Sequence, residues 1–262
     1  MQHFATPQAS VLRSFMSILS YQLLFISVFL GGGLSLLGNG DRLRQYLPYL
    51  LSFSGAFLLG IAALELIPEI FNQPKGNPGY WLLGGFLLQL LLESLSQGVE
   101  HGHIHSRRQA NTSYGIAVVI GLCIHAFIEG LPLNGLEDQG FHEGHDHHHH
   151  GFGQSLLIGI ILHKLPAAFA LGLLLRFSDY SKWFVYSGLF LFALMAPLGA
   201  WLGSLFLLDP LWIEASLALV IGSLLHISTT ILFEADAKKH HSVSWRKLLV
   251  IALGLLLAIL TV

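Results

Sequence analysis

Eight apolar runs, separated by short polar connections, constrain this chain more than any other feature of its sequence. They cover approximately residues 15–37, 47–71, 80–100, 113–135, 154–175, 183–207, 211–233 and 246–262. A helix needs about 20 apolar residues to cross the hydrocarbon core of a bilayer, and a backbone in lipid must form its hydrogen bonds within its own segment. The sequence therefore predicts an all-α integral membrane protein with eight transmembrane helices, folded as one transmembrane domain over residues 1–262. The third run contains Glu93, and the eighth run is the shortest.

The composition excludes most other classes of protein. Hydrophobic residues make up 53% of the chain and charged residues only 11%, whereas soluble domains contain about 25% charged residues. The net charge is -2, so the chain lacks the basic surface that a nucleic-acid partner requires. Its single cysteine, Cys123, excludes an internal disulfide. The lipid bilayer is therefore the partner that the composition predicts.

The distribution of lysine and arginine predicts the orientation in the membrane. Loops after the odd-numbered runs hold ten of these cations, namely Arg42, Arg44, Arg107, Arg108, Arg176, Lys182, Lys238, Lys239, Arg246 and Lys247. The N-terminal tail and the even-numbered loops hold only Arg13 and Lys75. Because cytoplasmic loops are the ones enriched in lysine and arginine, we expect both termini outside, in a multi-pass protein of the plasma (inner) membrane.

Three metal-binding side chains lie deep inside two neighbouring apolar runs. His125 and Glu129 are four residues apart in the fourth run, so they share one face of a helix. They lie about 18 Å or more from the start of that run at 1.5 Å per residue, and His163 reaches a similar depth in the fifth run. Ionisable groups inside a membrane are functional by default. Two imidazoles and a carboxylate suit a divalent transition metal such as zinc.

A purely structural alternative exists for the first two of these residues. His125 and Glu129 would then form a neutral hydrogen-bonded pair that holds two helices together. Against it, His163 lies at matching depth, and Pro132 and Pro166 lie within one turn of these groups. Proline frees a backbone carbonyl one turn earlier, and interrupted helices at mid-depth are where transporters build ion sites.

The same residues resemble the signature of the ZIP (ZRT/IRT-like) metal transporters. The fourth helix of that family carries His-x-x-x-Glu/Asp-Gly, which His125, Glu129 and Gly130 match. Its fifth helix begins with histidine and often places proline three residues later, as His163 and Pro166 do. The resemblance implies eight helices with both termini outside, and movement of a divalent metal through a site at these positions.

Weaker similarities to the family follow in the family's order along nearly the whole chain. They run through Leu66-Ile67-Pro68-Glu69, through Gly85-Phe86 to Glu100-His101-Gly102-His103, and from Leu224-Leu225-His226 to Leu232-Phe233-Glu234. The ordered set is more specific than any one motif.

The chain departs from the family pattern where many members support a second metal. Those places hold Ala126 and Lys164, and a further ligand position holds Ala167. The resemblance therefore implies one central metal position, in a His-Lys variant of the fifth helix. The ammonium of Lys164 would weaken metal binding by Coulomb repulsion and favour release; alternatively, this cation snorkels or pairs with a nearby acid.

Further acids and one histidine indicate a path on either side of the centre. The second run is directed outward, so Glu65 and Glu69 are expected to gather cations outside. The third and seventh runs are directed inward, so their acids are expected to accept cations on the cytoplasmic side, with His226 deeper in the seventh run. Each acid has an alternative role as an interfacial charge or in pairing helices. Together with Lys164, the pathway candidates are Glu65, Glu69, Glu93, Glu100, His226 and Glu234.

Two loops are rich in histidine. A cytoplasmic loop, 101–112, contains His101, His103 and His105. An outer loop, 136–153, contains His142, His145, His147, His148, His149 and His150. Tracts of this composition bind metal, and we expect weak, flexible capture that requires deprotonated histidine. The alternative is a solvated polar loop with incidental affinity.

The functional prediction is a transporter that moves zinc into the cytoplasm by alternating access, without enzymatic chemistry or a bound cofactor. Fe²⁺, Mn²⁺, Co²⁺ and Cd²⁺ fit similar ligands. Two alternatives are a membrane-embedded zinc hydrolase, although the His-Glu-x-x-His motif is absent from the sequence, and a metal sensor that does not transport. Gly199 and Gly203 permit close helix approach, either within the bundle or in a homodimer.

Overall fold

The computed structural model describes residues 7–37, 44–72, 74–99, 111–135, 152–207, 209–234 and 244–262. Within these ranges the main elements are eight helices, and no strand occurs. The helices are α1 Pro7–Leu37, α2 Leu47–Asn72, α3 Pro78–Ser96, α4 Thr112–Gly130, α5 Phe152–Phe177, α6 Lys182–Phe206, α7 Pro210–Glu234 and α8 Trp245–Thr261. The predicted all-α architecture is confirmed, and the helices lie over the apolar runs of the sequence.

Six of the described helices are long and apolar enough to cross a membrane. They are α1, over Ile18–Leu37, then α2, and α4 to α7. The other two helices differ for simple reasons: α3 carries Gln89 and Glu93 within its 19 residues, and α8 has only 17 residues. Several membrane-length apolar helices in one chain make this an integral multi-pass membrane protein.

All five tryptophans lie within two turns of a helix end, and each is substantially exposed. Their exposed fractions are 41% for Trp81, 82% for Trp183, 51% for Trp201, 51% for Trp212 and 72% for Trp245. Tryptophan is enriched at the two membrane–water interfaces, where its ring is buried in the headgroup region. The positions at helix ends therefore agree with helices that reach from one interface to the other.

Three of the helices begin at a side-chain cap that satisfies a backbone donor. The side chain of Asn111 accepts from the N–H of Ser113 before α4. The side chain of Ser181 accepts from the N–H of Phe184 before α6, and that of Ser244 accepts from the N–H of Lys247 before α8. Such caps stabilise a helix start by about 1 kcal/mol. The polar connections thus define where three of the described helices begin.

The helices pack as two groups. Group 1 consists of α1, α4, α5 and α6, with its main contacts between α1 and α5, α4 and α6, and α1 and α6. Group 2 consists of α2, α3, α7 and α8, with its main contacts between α3 and α7, α2 and α8, and α2 and α7. The groups meet chiefly where α2 packs on α5 and where α3 packs on α4.

Glycines bring backbones into direct contact within each group. In group 1, a Cβ on Gly199 or Gly203 would overlap the carbonyl oxygen of Phe127 or Leu131, respectively. These two glycines therefore serve helix packing inside the chain. In group 2, a Cβ on Gly85 would similarly overlap the carbonyl oxygen of Leu219. Backbone-to-backbone packing of this kind leaves little room for one helix to move along its neighbour.

The interface between the groups is packed differently. A Cβ on Gly159 of α5 would have as its nearest neighbours side-chain atoms of Ile61 and Leu58 of α2. A Cβ on Gly121 of α4 would lie 3.2 Å from the carbonyl oxygen of Leu92 and from the backbone nitrogen of Ser96, closer than ordinary van der Waals contact. The contact of α2 with α5 is therefore made by side chains at Gly159, whereas that of α3 with α4 also brings backbone atoms close to Gly121.

Two glycines of α1 provide a test of this packing. A Cβ on Gly31 would overlap the carbonyl oxygen of Leu165, whereas a Cβ on Gly33 would meet nothing within 4 Å. We expect Gly31→Ala to lower the stability of the protein by about 1–3 kcal/mol, the cost of overpacking. Gly33→Ala should be neutral or stabilising by up to about 1 kcal/mol. Thermal denaturation in detergent micelles measures both, and equal midpoints for the two variants would contradict the packing.

Candidate metal site

His125 and Glu129 lie on the buried face of α4. That face repeats every three or four residues and also includes Leu122 and Ala126. His125 is 2% exposed and Glu129 is fully buried. The Nε2 atom of His125 lies 3.0 Å from Oε1 of Glu129, so the shared face predicted from the four-residue spacing is present.

α5 brings His163 to the same place. This residue is 1% exposed, and its ring lies 6.2 Å from that of His125, centroid to centroid, at an interplanar angle of 87°. One potential ligand atom from each of His125, Glu129 and His163 lies within 4.8 Å of the other two. Among the described residues this is the one cluster of three such side chains that meets this criterion.

Lys164 pairs with the acid of the cluster. Its Nζ donates to Oε2 of Glu129 at 2.9 Å, and the ammonium lies 5.1 Å from the centroid of the Phe192 ring. The side chain is 1% exposed, so it does not snorkel to the membrane surface. The two oxygens of Glu129 therefore divide their contacts: Oε2 faces the ammonium and Oε1 faces His125.

The two prolines have different effects on the helices that carry the site. α5 continues through Pro166 without interruption. α4 ends at Gly130, directly after Glu129, and Leu131 and Pro132 form a turn. The interruption expected beside the prolines is thus absent at Pro166 of α5 and takes the form of a single turn after Glu129 in α4.

Two buried polar residues next to the cluster were missed in the sequence. Ser223 of α7 donates to Oε1 of Gln89 on α3 at 2.9 Å, and its Oγ lies 3.5 Å from Nδ1 of His125. Gln89 precedes Glu93 by four residues and Ser223 precedes His226 by three. The signal that would have found them is this helical spacing from two residues already chosen as pathway candidates.

The structure pairs two of the pathway candidates. Nε2 of His226 lies 2.6 Å from Oε2 of Glu93, and the Phe86 ring packs edge-on to the imidazole at 4.9 Å. The side chain of Glu93 is 20% exposed and that of His226 is 8% exposed. Pairing of α3 with α7, the alternative considered for Glu93, is thus present in the structure.

The two acids of α2 differ in their surroundings. The helix widens into one π-helical turn over Ala62–Leu66, just before Pro68. Proline has no N–H to donate to the carbonyl four residues earlier, and π-turns of this kind often mark functional sites. Glu65 lies within that turn and is half-buried, whereas Glu69 is exposed.

Other predicted residues lie outside what the structure describes. Glu100 and both histidine-rich segments fall on undescribed positions, namely His101, His103, His105, His142, His145, His147, His148, His149 and His150. Glu234 is the last residue of α7, but its side chain is not described. Their roles remain predictions.

Comparison with known proteins identifies the family. Residues 100–261, well over half of the 262 residues, match the family profile described as ZIP Zinc transporter. The match includes α4 to α8 and therefore all of His125, Glu129 and His163. A search of curated proteins gave no significant match. The resemblance seen in the sequence is confirmed, and because this family consists of transporters, the hydrolase alternative is not supported. The chain is a member of the ZIP zinc transporter family, and it is a membrane protein of metal-ion transport rather than an enzyme.

Proposed function

We propose that the protein moves Zn²⁺, or a similar divalent transition metal, into the cytoplasm through a site formed by His125, Glu129 and His163. The observation that carries the proposal is the convergence of one ligand atom from each residue within 4.8 Å at a buried position. Zinc is bound by histidine nitrogen and carboxylate oxygen at about 2.0–2.2 Å. Two ligands of one such ion lie about 3 Å apart, which agrees with the 3.0 Å between His125 and Glu129.

Lys164 supports a site for one ion that binds and releases. Its ammonium balances the charge of Glu129 at 2.9 Å, so the site carries no uncompensated buried charge before the metal arrives. An arriving dication meets a carboxylate that is already shared, and the repulsion between ammonium and metal limits affinity. A transported ion must also leave, so limited affinity favours turnover over storage.

The two helix groups support alternating access as the mechanism. All three proposed ligands lie on group 1, and where α5 of this group packs on α2 of group 2, the nearest atoms to Gly159 are side-chain atoms. Group 1 is expected to move against group 2 as a unit, and this movement opens the site first to the outside and then to the cytoplasm. Transporters with a central site between two bundles commonly work in this way.

The remaining acids define the proposed path. Glu65 and Glu69 of α2 attract cations on the outer side, and the Glu93–His226 pair of α3 and α7 receives the ion on the cytoplasmic side. Carboxylate and imidazole are both ligands for divalent transition metals. Glu100 and Glu234 would continue the path toward the cytoplasm.

The proposed topology has eight spans with both termini outside, in the plasma (inner) membrane. In addition to the six helices of membrane length, α3 and α8 each present an apolar face to the exterior. The exposed side chains on these faces include Leu83, Leu87 and Leu91 of α3 and Leu253, Leu256 and Leu260 of α8. Exposed apolar faces of this size are rare on soluble proteins and suit contact with lipid. A homodimer is a further prediction, which the mass of the detergent-solubilised protein tests.

Metal uptake into sealed proteoliposomes tests the proposed function. Purified protein is reconstituted with a metal-sensitive dye in the lumen, and Zn²⁺, Cd²⁺, Co²⁺, Mn²⁺ and Fe²⁺ are added outside in turn. We expect protein-dependent uptake that saturates, with zinc among the best substrates. A protein that binds zinc but gives no uptake above protein-free liposomes would support the sensor alternative.

Deletion of residues 142–150 tests the role of the outer histidine-rich segment. We expect the concentration of zinc at half-maximal uptake to rise, with a smaller change in maximal rate, because a histidine-rich tract raises local metal concentration without forming the transport site. Zinc titration of the uptake rate measures both quantities. Replacement of the same residues by a glycine-serine linker of equal length separates loss of histidine from loss of length. Complete loss of transport in both variants would contradict an accessory role.

A further inference from the structure

The hydrogen bonds around Ser223 extend from group 2 to a proposed metal ligand on group 1. Ser223 is 4% exposed and Gln89 is fully buried. The Ser223 hydroxyl donates to Oε1 of Gln89 at 2.9 Å, and the Oγ atom of Ser223 lies 3.5 Å from Nδ1 of His125. The far side of the same imidazole presents Nε2 to Glu129 at 3.0 Å.

The number of protons available in this series of hydrogen bonds determines which tautomer of the His125 imidazole is present. A hydroxyl has a single proton and two lone pairs. Since Ser223 gives its proton to Gln89, it offers a lone pair to His125, and an N–H at Nδ1 completes the contact. A neutral imidazole with its proton on Nδ1 has its lone pair on Nε2. That lone pair and Oε1 of Glu129 then point to the same position, where a metal ion satisfies both.

We propose that Gln89 and Ser223 are positioning residues that hold His125 with its proton on Nδ1, so that Nε2 binds the metal. This inference rests on the proposed function of His125 as a ligand. Histidines that bind metals commonly donate their second N–H to a neighbouring acceptor, and loss of that acceptor typically weakens metal binding about 10–100-fold. Here the acceptor is Ser223, whose own proton points away from His125 because it is donated to the side-chain amide of Gln89.

The position of the pair adds a link to the transport cycle. Ser223 and Gln89 belong to α7 and α3 of group 2, whereas His125 belongs to α4 of group 1. A movement of one group along the other separates the serine from the imidazole. His125 is then oriented for binding in the arrangement seen here and loses that support after the movement, which lowers metal affinity where the ion must leave.

Substitution of Ser223 tests the inference in the proteoliposome assay with Zn²⁺ as the probe. We expect Ser223→Ala to raise the zinc concentration at half-maximal uptake by about ten-fold or more, with a smaller effect on maximal rate. Ser223→Thr retains the hydroxyl and should restore most of the affinity. Ser228→Ala is the matched control, since Ser228 is a fully buried serine of the same helix whose hydroxyl donates to the carbonyl of Leu225.

A second variant approaches the same contact from the other side. Gln89→Met removes the acceptor, so the serine proton becomes available to Nδ1 and favours the opposite tautomer. We expect a rise in half-saturation similar to that of Ser223→Ala, and the double variant should be no worse than either single variant, because both act through one contact. The Gln89→Met variant tests the inference even if Ser223→Ala folds poorly.

The outcomes separate this inference from the proposed function. Wild-type half-saturation in both Ser223→Ala and Gln89→Met, together with an inactive His125→Ala, would overturn the positioning role alone. Additive losses in the double variant would also overturn it, because they indicate independent structural effects. Absence of zinc uptake by the wild-type protein would instead overturn the proposed function on which the inference rests.

Discussion

Replacement of His125 by alanine is expected to reduce zinc uptake to the level of protein-free liposomes. The imidazole supplies one of three proposed ligands, and its Nε2 lies 3.0 Å from Oε1 of Glu129. Loss of a group that merely supports a metal ligand already weakens binding about 10–100-fold, so loss of a ligand itself should cost at least that much. Initial rates over a wide range of zinc concentration measure the effect.

Cys123 provides the matched control for this variant. It lies two residues earlier in α4 and is half-buried, and the three-residue metal cluster does not include it. Cys123→Ala should therefore transport zinc like the wild-type protein, which shows that a small substitution in this part of α4 is tolerated. If His125→Ala also transports normally, the ion crosses the protein elsewhere and the central site is wrongly placed.

Replacement of Glu129 by glutamine should produce two losses at once. Glutamine removes the anionic ligand, so we expect transport to cease. It also leaves the ammonium of Lys164, which is 1% exposed, without its partner at 2.9 Å. Removing one member of a buried ion pair typically costs about 3–5 kcal/mol because the other charge remains buried and uncompensated. Thermal denaturation in detergent and zinc uptake measure the two effects separately.

A double variant separates the two roles of Glu129. Lys164→Met combined with Glu129→Gln removes both charges, so most of the lost stability should return while transport stays absent. Lys164→Met alone leaves the carboxylate beside His125, and tighter zinc binding with slower turnover is expected because the repulsion is gone. A double variant as unstable as Glu129→Gln alone would show that the ion pair does not explain the loss of stability.

Much of the fold was predictable because lipid imposes a simple condition on the backbone. The fifth apolar run, predicted as 154–175, lies within α5, Phe152–Phe177, and the sixth, predicted as 183–207, closely matches α6, Lys182–Phe206. Both follow from the need for about 20 apolar residues whose hydrogen bonds close within the segment. The π-turn at Ala62–Leu66 was not predicted, since apolar length carries no signal for a local change of helical period.

The proposed ligands were also predictable, whereas their support was not. His125, Glu129 and His163 are recognisable because ionisable groups are rare at mid-membrane depth. Ser223 and Gln89 are uncharged, and an isolated serine or glutamine in an apolar run does not by itself indicate a functional site. Their relevance comes from distances of 2.9 and 3.5 Å that link three separate helices.

By itself, the sequence determined that this chain is an α-helical membrane protein with two imidazoles and one acid well inside two of its apolar runs. These properties follow from hydropathy, helical spacing and the cost of burying charge, which act locally along the chain. Only the tertiary structure decided that Lys164 pairs with Glu129, that Gly199 and Gly203 pack within the chain, and that the helices form two groups. Each of these depends on which helix lies next to which, and contacts between distant segments are not encoded in the pattern of any one of them.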